Sequence, residues 1–229
     1  PELNGPRRSE WLERLDVERE NLLGAHAWAG RAENGAEAGL RLTYALGSYW
    51  FMRGQPELGL QLSIEALARQ GAQARTAARC RALYDAGQHY CFTGRYEQAQ
   101  GPLEESLAIA RELEEPKYVA RVLQPLGIAA FGRGDRDTAR AHMQEAVELA
   151  RRIGDRRELA AALNNLAQLH RIDGELDPID TTVWYNKIQR KDYQVGMNLT
   201  GAGVDDPDVQ FYENYYSTSD RNYTGYKNP

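Results

Sequence analysis

The sequence predicts an all-α fold: a tetrad of stacked helical hairpins, each about 40 residues long, forming a right-handed α-solenoid that is followed by a short α/β fragment. Three observations lead there. Gly54, Gly94, Gly134 and Gly174 recur every 40 residues, and seven residues before each stands a small residue, Gly47, Gly87, Gly127 or Ala167, preceded by Leu46, Ala86, Leu126 or Leu166. Twelve residues after the first three glycines come Ala66, Ser106 and Ala146, preceded by Glu65, Glu105 and Glu145. Finally, each period holds two apolar helical patterns separated by the recurrent glycine, and so many columns in one phase are the mark of a repeat architecture.

The second period shows the logic of each element. Its first helix reads AARCRALYDAGQHYCFTG, and its second, EQAQGPLEESLAIARELEE, sets Ala99, Leu103, Leu107 and Ala110 on one face at helical spacing. Gly94 fits a left-handed helix-ending position, where the absence of a Cβ removes a steric penalty. Small residues such as Gly87 and Ala99 let paired helices approach closely. A single hairpin cannot bury its apolar stripe alone, so neighbours must stack into a continuous core. Pro125 falls inside a predicted helix of the third period and is expected to kink it, because proline lacks the N–H and clashes with the preceding turn. After Gly174 no partner helix follows in the pattern, which leaves the last face of the solenoid uncapped and available for self-association.

Composition narrows the function classes. With 42% hydrophobic residues in 229, the chain can bury a sizeable core. The net charge of −5 gives no electrostatic reason to expect direct nucleic-acid binding. No run of 18 apolar residues occurs, so membrane insertion is not expected. The opening PELNGPRRSEWLERL has none of the features of a signal peptide. It also lacks an initiating Met and reads as an internal fragment, so that absence says little about compartment. Cys80 and Cys91 fall in one helix, about 16 Å apart along its axis, too far to bridge, and read as reduced buried thiols.

From Pro178 the character of the chain changes, dividing it into a repeat domain over 1–177 and a fragment over 178–229. The tail carries nine aromatic residues and a single alanine, Ala202, and its lysines Lys187, Lys191 and Lys227 contrast with one earlier lysine, Lys117. A helix is expected over TTVWYNKIQRK, a strand over YQVGMNLTG and a short helix from Val209 to about Tyr216. One strand cannot satisfy its own ladder, so the fragment alone is incomplete.

The small residue, aromatic, Gly, aromatic, Ala and small residue at Gly87, Tyr90, Gly94, Tyr96, Ala99 and Ser106 resemble the tetratricopeptide pattern. The longer period is similar to repeats in the C-terminal half of large bacterial signalling ATPases and transcriptional regulators, as is the opening WLERLDVERENLLGAHAWA followed by GLRLTYALGSYWFMRG. This resemblance covers about residues 9 to 177 and implies a non-catalytic, cytoplasmic protein-interaction region. The tail's WYNKIQRKDYQVGMNLTGAGVDDPDVQFYENY and RNYTGYKNP resemble a piece of the family 5 extracellular solute-binding proteins of ABC transporters, which work in the periplasm or outside the cell. In peptide-binding members an aspartate after the strand pairs with the ligand's amino terminus, and Asp205 matches it; the rest of that pocket is absent from this chain.

Catalytic and metal chemistry find no support in the pattern. His26, His89, His142 and His170 lie singly on predicted helices without metal-ligand spacing, and read as satisfied helical histidines. Asp205, Asp206 and Asp208 lack the later glutamate of a calcium loop and read as a solvated turn. No cofactor is expected and no nucleophile–base pair emerges.

The first helix of each hairpin faces the concave side in the tetratricopeptide family, and there the candidate partner-binding residues recur: Arg41, Arg81 and Arg121, then Tyr44, Tyr84, Gln124 and Asn164 three positions on, with Gln88 and Gln168 beyond them. Arginine offers bidentate pairing and tyrosine offers stacking area, a combination suited to an extended acidic or carboxylate-ended peptide. The same residues also fit ordinary solvated or intra-repeat partners. The leading reading is an interaction scaffold, the sensor or oligomerisation arm of a bacterial regulatory protein. Its rivals are a truncated solute-binding transport component, or a chimeric reading frame joining the two.

Overall fold

The computed structural model describes Leu3 and residues 7–172. Among them are nine helices and no strand: α1 (Arg8–Val17), α2 (Arg19–Ala29), α3 (Gly35–Met52), α4 (Pro56–Leu67), α5 (Ala77–Phe92), α6 (Tyr96–Glu112), α7 (Pro116–Gly132), α8 (Arg136–Ile153) and α9 (Arg156–Ile172). About eight were expected over this stretch; the opening segment supplies two because the backbone leaves helical geometry at Glu18 (φ −87°, ψ 0°). Residues Pro1–Leu166 form one compact unit, and Ala167–Pro229 a second, of which only the end of α9 is described. The expected tail helix, strand and short helix, together with Gly174, Asp205 and any cap on the last repeat, lie outside the described residues. None of the described helices is long and apolar enough to cross a membrane.

Helices α3 to α8 make three hairpins of the tetratricopeptide-like solenoid, and α9 begins a fourth. Their turns realise the glycine column. Gly54, Gly94 and Gly134 take φ of +67°, +73° and +85°. The next N–H in each case reaches back to the carbonyl five residues earlier: Gln55 to Trp50 (2.8 Å), Arg95 to Tyr90 (2.9 Å), Asp135 to Ala130 (3.0 Å). This is a Schellman closure, which satisfies carbonyls that the helix end would orphan. The links between hairpins also use a positive φ, at Glu114 (φ +53°), where the Glu115 N–H reaches the Ala110 carbonyl at 3.0 Å, and at Gly154 (φ +69°), 40 residues on, so one repeat places a glutamate where the next uses glycine. Each new helix then starts on a cap or a proline. Thr76 accepts from Arg79 N–H (3.3 Å), Asp135 from Thr138 N–H (3.1 Å), and Pro56 and Pro116 open α4 and α7.

The small-residue column sets how closely the helices of a hairpin meet. A Cβ on Gly87 would fall 2.3 Å from Leu103 Cγ, and one on Gly127 would fall 2.9 Å from Met143 Cγ, so α5 sits on α6, and α7 on α8, through a glycine. Above and below these contacts runs a continuous apolar cluster from Cys80 and Leu83 through Ile109, Val122 and Leu123 to Val147 and Ala162. Both cysteines are free and buried within it, and burial pushes their thiols up, Cys91 to about 12. The first hairpin departs from this continuity: Leu40, Ala66 and Ala82 form one cluster, while Leu46, Tyr49, Trp50 and Leu62 form another with leucines of α1 and α2. Tyr49 Oη and Arg53 Nε both donate to Asp16 Oδ1 (2.9 and 3.0 Å), tying α1 to the end of α3. Pro125 does not break α7, which is assigned as helix from Pro116 to Gly132; the missing N–H leaves the Arg121 carbonyl without its usual partner. Pro102 is carried inside α6 in the same way.

The Glu65, Glu105 and Glu145 column also acquires a physical role in part. Glu105 accepts from Arg79 Nε (2.6 Å) in a partly buried bidentate pair, and Glu145 from Arg111 (2.8 Å), so these glutamates stitch one helix to another.

The left-handed backbone at Glu114 generates a prediction. The residue is exposed, and a side chain held at positive φ carries a steric cost that glycine avoids. Glu114→Gly should therefore raise stability by about 0.5–1 kcal/mol after allowance for the extra chain entropy of glycine. Gly94→Ala should lower it by about 1 kcal/mol. Urea unfolding followed by circular dichroism measures both; a Glu114→Gly variant less stable than the parent would contradict the strain.

Candidate functional site

The first helices α3, α5, α7 and α9 carry a ladder of aromatic, basic and amide side chains. Its geometry follows from one spacing: a residue on one first helix meets the residue 37 positions later on the next. The Arg81 guanidinium carbon lies 4.9 Å from the centre of the Tyr118 ring, and Arg121 Nε donates to Glu158 Oε1 at 3.0 Å. A second Arg121 nitrogen makes a short contact to the same carboxylate. Asp155 holds Glu158 in place, because its Oδ1 caps α9 by accepting the Glu158 and Arg157 N–H groups at 3.1 Å.

Over α5 the ladder closes on itself. Tyr118 Oη donates to Tyr44 Oη at 2.7 Å, so α7 reaches α3 across 74 residues of chain. Arg81 lies beside both rings, 5.8 Å from the centre of Tyr44, and Arg121 reaches the Tyr44 hydroxyl at 3.4 Å. A guanidinium at these distances from a ring face is in cation–π range. Further along, Gln124 Nε2 donates to Glu158 Oε2 (3.4 Å) and Gln124 Oε1 accepts from Asn165 Nδ2 (3.1 Å).

Electrostatics separates the three arginines. Arg121 is partly buried, which works against its charge, but the hydrogen bond and charge of Glu158 outweigh that and hold the guanidinium firmly protonated. Arg81 has rings beside it and no carboxylate partner among the described residues, and its Nε is buried without a hydrogen-bond acceptor. Arg41 is exposed on α3 and makes no ion pair or hydrogen bond within the described residues. The 37-residue spacing explains why: it points Arg41 to Ala78, which offers neither ring nor charge. Burial pushes the Tyr84 and Tyr118 phenols up, so both stay neutral over the physiological range.

Of the residues singled out by periodicity, the structure brings together Tyr44, Arg81, Arg121 and Gln124. Tyr84 and Gln88 lie partly buried on the same helix as Arg81. Asn164 is exposed, and it is its neighbour Asn165 that bonds Gln124. Gln168 lies on α9 within the second unit. Three members of the ladder escaped the periodic reading: Tyr118, Glu158 and Asn165. Tyr118 and Glu158 share a column with Ala38 and Ala78, three residues before the arginines, and a column that reads Ala, Ala, Tyr, Glu has no recurrent type to notice. The signal lay in position, one helical turn from a recurrent arginine, rather than in identity.

The Arg121–Glu158 pair lends itself to a double-mutant cycle. Glu158→Ala should cost about 2–3 kcal/mol, since it strips a partly buried arginine of its counter-charge. Arg121→Ala strands a buried carboxylate and should cost a similar amount, and the double variant should cost clearly less than the two together, with a coupling of about 1–2 kcal/mol. Strict additivity in chemical unfolding would show that the pair is not a unit.

Comparison with known proteins bears on the last of these helices. A family model of the tetratricopeptide repeat matches residues 118–178, from the ladder tyrosine of α7 through α8 and α9 and beyond. No curated protein matches the chain. Among solved structures, the chain is similar to the MamA RS-1 ArsTM double mutant, with 20% sequence identity and a TM-score of 0.45 over 72% of this chain and 93% of that one.

Proposed function

We propose that the helical unit is a protein-interaction scaffold whose binding face is the first-helix ladder, and that its ligand is an extended acidic or carboxylate-ended peptide. Stacked hairpins bury their apolar stripes against one another and leave a row of side chains on their first helices, the usual economy of repeat proteins. The observation that carries the reading is the charge imbalance of the ladder. Arg121 is neutralised by Glu158, whereas Arg41 and Arg81 have no carboxylate partner among the described residues, and Arg81 is already held beside two tyrosine rings. Two cations on adjacent first helices, one of them held beside aromatic surface, complement carboxylates spaced along an extended chain. Among the described residues no group of three or more His, Cys, Asp and Glu is arranged to hold a metal ion.

The wider assignment, a sensor or oligomerisation arm of a bacterial regulatory protein, rests on the resemblance of the repeats and of the opening segment. An upstream nucleotide-binding domain in the flanking coding sequence would bear it out. The transport reading rests on the tail and Asp205, and nothing among the described residues favours it.

The ligand assignment is tested with a fluorescently labelled peptide rich in Asp and Glu, its amidated form, and a counterpart with Asn and Gln in their place. The acidic peptide should bind the full chain more tightly than its neutral counterpart, with affinity falling as salt rises. Arg41→Ala, which removes no internal contact, should weaken binding by about tenfold, roughly 1.4 kcal/mol. Equal affinity for the acidic and neutral peptides, or an Arg41→Ala variant that binds like the parent, would remove the ladder's cations from the binding function.

A further inference from the structure

The joint between the first and second hairpins breaks the repeat pattern in four linked places. Where the later hairpins have Leu103 and Met143 on the second helix, the first has Ser63; where they have Ala99 and Ala139, it has Gly59. Opposite these, α5 carries Asp85 and His89, whose matching positions on α7 are Pro125 and Ala129. The substitutions fit one another. Loss of the large side chain at position 63 opens space that the Asp85 carboxyl fills from the neighbouring hairpin. It lies so close to α3 that a Cβ on Gly47 would sit 1.9 Å from Asp85 Oδ1. A Cβ on Gly59 would sit 2.8 Å from His89 Nε2.

The result is a buried polar cluster within an otherwise apolar interface. Asp85 is 5% exposed, His89 2% and Ser63 0%. Ser63 Oγ lies 3.3 Å from Asp85 Oδ2 and 3.0 Å from the Gly59 carbonyl, and His89 Nε2 lies 3.5 Å from the same carboxyl oxygen. Neither ring nitrogen of His89 has a well-formed hydrogen bond, so the expectation of satisfied histidines fails here, although it holds for His26, whose Nε2 meets the Leu62 carbonyl at 3.0 Å. The cluster meets Gly47 of α3, and Gly59 and Ser63 of α4, none of them titratable. On α5 itself it meets His89, with Tyr84 next in the chain and kept neutral by burial. Among the described residues, His89 is thus the one titratable group in contact with the carboxyl.

We propose that Asp85 and His89 hold a single proton between them and form a pH-sensitive joint, which locks hairpin α3/α4 to α5 while the proton is present and loosens when it is lost. With one proton the pair is neutral overall, whichever group carries it. The serine can donate to the Gly59 carbonyl while accepting from a protonated Asp85, which completes the network. Removing the proton leaves a buried carboxylate facing a neutral imidazole, a charge with no counter-ion in an apolar interface. In agreement with the geometry, burial pushes the Asp85 carboxyl above its ordinary value, with the nearby His89 ring and the Ser63 hydroxyl offsetting only part of that. The sign follows: a carboxyl that gives up its proton less readily in the folded state than in the unfolded one costs stability as pH rises. Buried His26 and half-buried His142 act in the opposite sense, because burial lowers their pKa and the unfolded chain takes up their protons first on acidification. A comparison of two variants that share both histidines cancels them.

This joint stands apart from the ligand-binding reading, and its test reads stability and titration rather than binding. The full chain and Asp85→Asn, which keeps the shape and removes the charge, are unfolded in urea between pH 5 and 9. The unfolding constant of the parent relative to Asp85→Asn should rise about tenfold across that range, one unit of differential proton binding. A ratio that stays constant, or that falls with pH, overturns the proposal. NMR of the folded parent gives a second reading that does not depend on the variant: the Asp85 carboxyl carbon should titrate above the ordinary aspartate value. An Asp85 carboxyl that titrates at or below that value overturns the proposal equally.

Discussion

The close seating of one first helix beside the next is the contact on which the rest of this structure depends. It fixes a spacing of 37 residues between partners on successive hairpins, visible in Arg81 beside Tyr44 and Tyr118 and in Arg121 with Glu158. Glycines at the turns and small residues inside the helices close each hairpin so that the next can stack on it, and the apolar stripes supply the free energy of stacking. Once it exists, each side chain on a first helix has an assigned neighbour, and the chemistry of the face depends on what the sequence puts at both positions. One residue type repeated three times can therefore have three fates. Arginine is free at 41, held beside tyrosine rings at 81 and neutralised at 121.

The same seating explains why the two apolar clusters of the first hairpin are separate while the later hairpins share one. Ser63, Asp85 and His89 stand on the helices that join those clusters, and a carboxyl and an imidazole cannot be threaded into a purely apolar seam without interrupting it. Replacing a leucine-like position by serine removes packing, and the aspartate of the neighbouring hairpin occupies the space, so the interface remains filled at the cost of desolvating a titratable group. Structural repeats tolerate such local exchanges because each interface is nearly independent of the others, and an altered joint need not be copied along the array.

The ladder and the joint share α5, where Arg81 of the one and Asp85 of the other stand four residues, one helical turn, apart. The ladder is populated by groups with retained charge or ring surface, suited to a partner that arrives from solution. The joint holds groups withdrawn from water, suited to an internal response. The closure of Tyr118 on Tyr44 over α5 ties the three first helices together on the ladder side, so a change in how α3 rests on α5 would be felt at Tyr44.

Sequence by itself determined the helical class, the 40-residue period, the left-handed glycine turns and the free, buried state of both cysteines, because each depends on local backbone preference or on the position of apolar residues along one helix. It also placed the recurrent arginines on the right helices. Only the tertiary structure decided which of them keep an unbalanced charge, because that depends on residues 37 positions away whose types do not repeat: Ala78, Tyr118 and Glu158. It likewise turned attention from Asn164 to Asn165, since the choice between adjacent residues on a helix is set by the rotation with which that helix packs. The Asp85–His89 joint was invisible for the same reason. Four departures from the repeat at positions 59, 63, 85 and 89 look unrelated along the chain, and become one feature only when two hairpins are brought into contact and the space vacated by one side chain is seen to be filled by another.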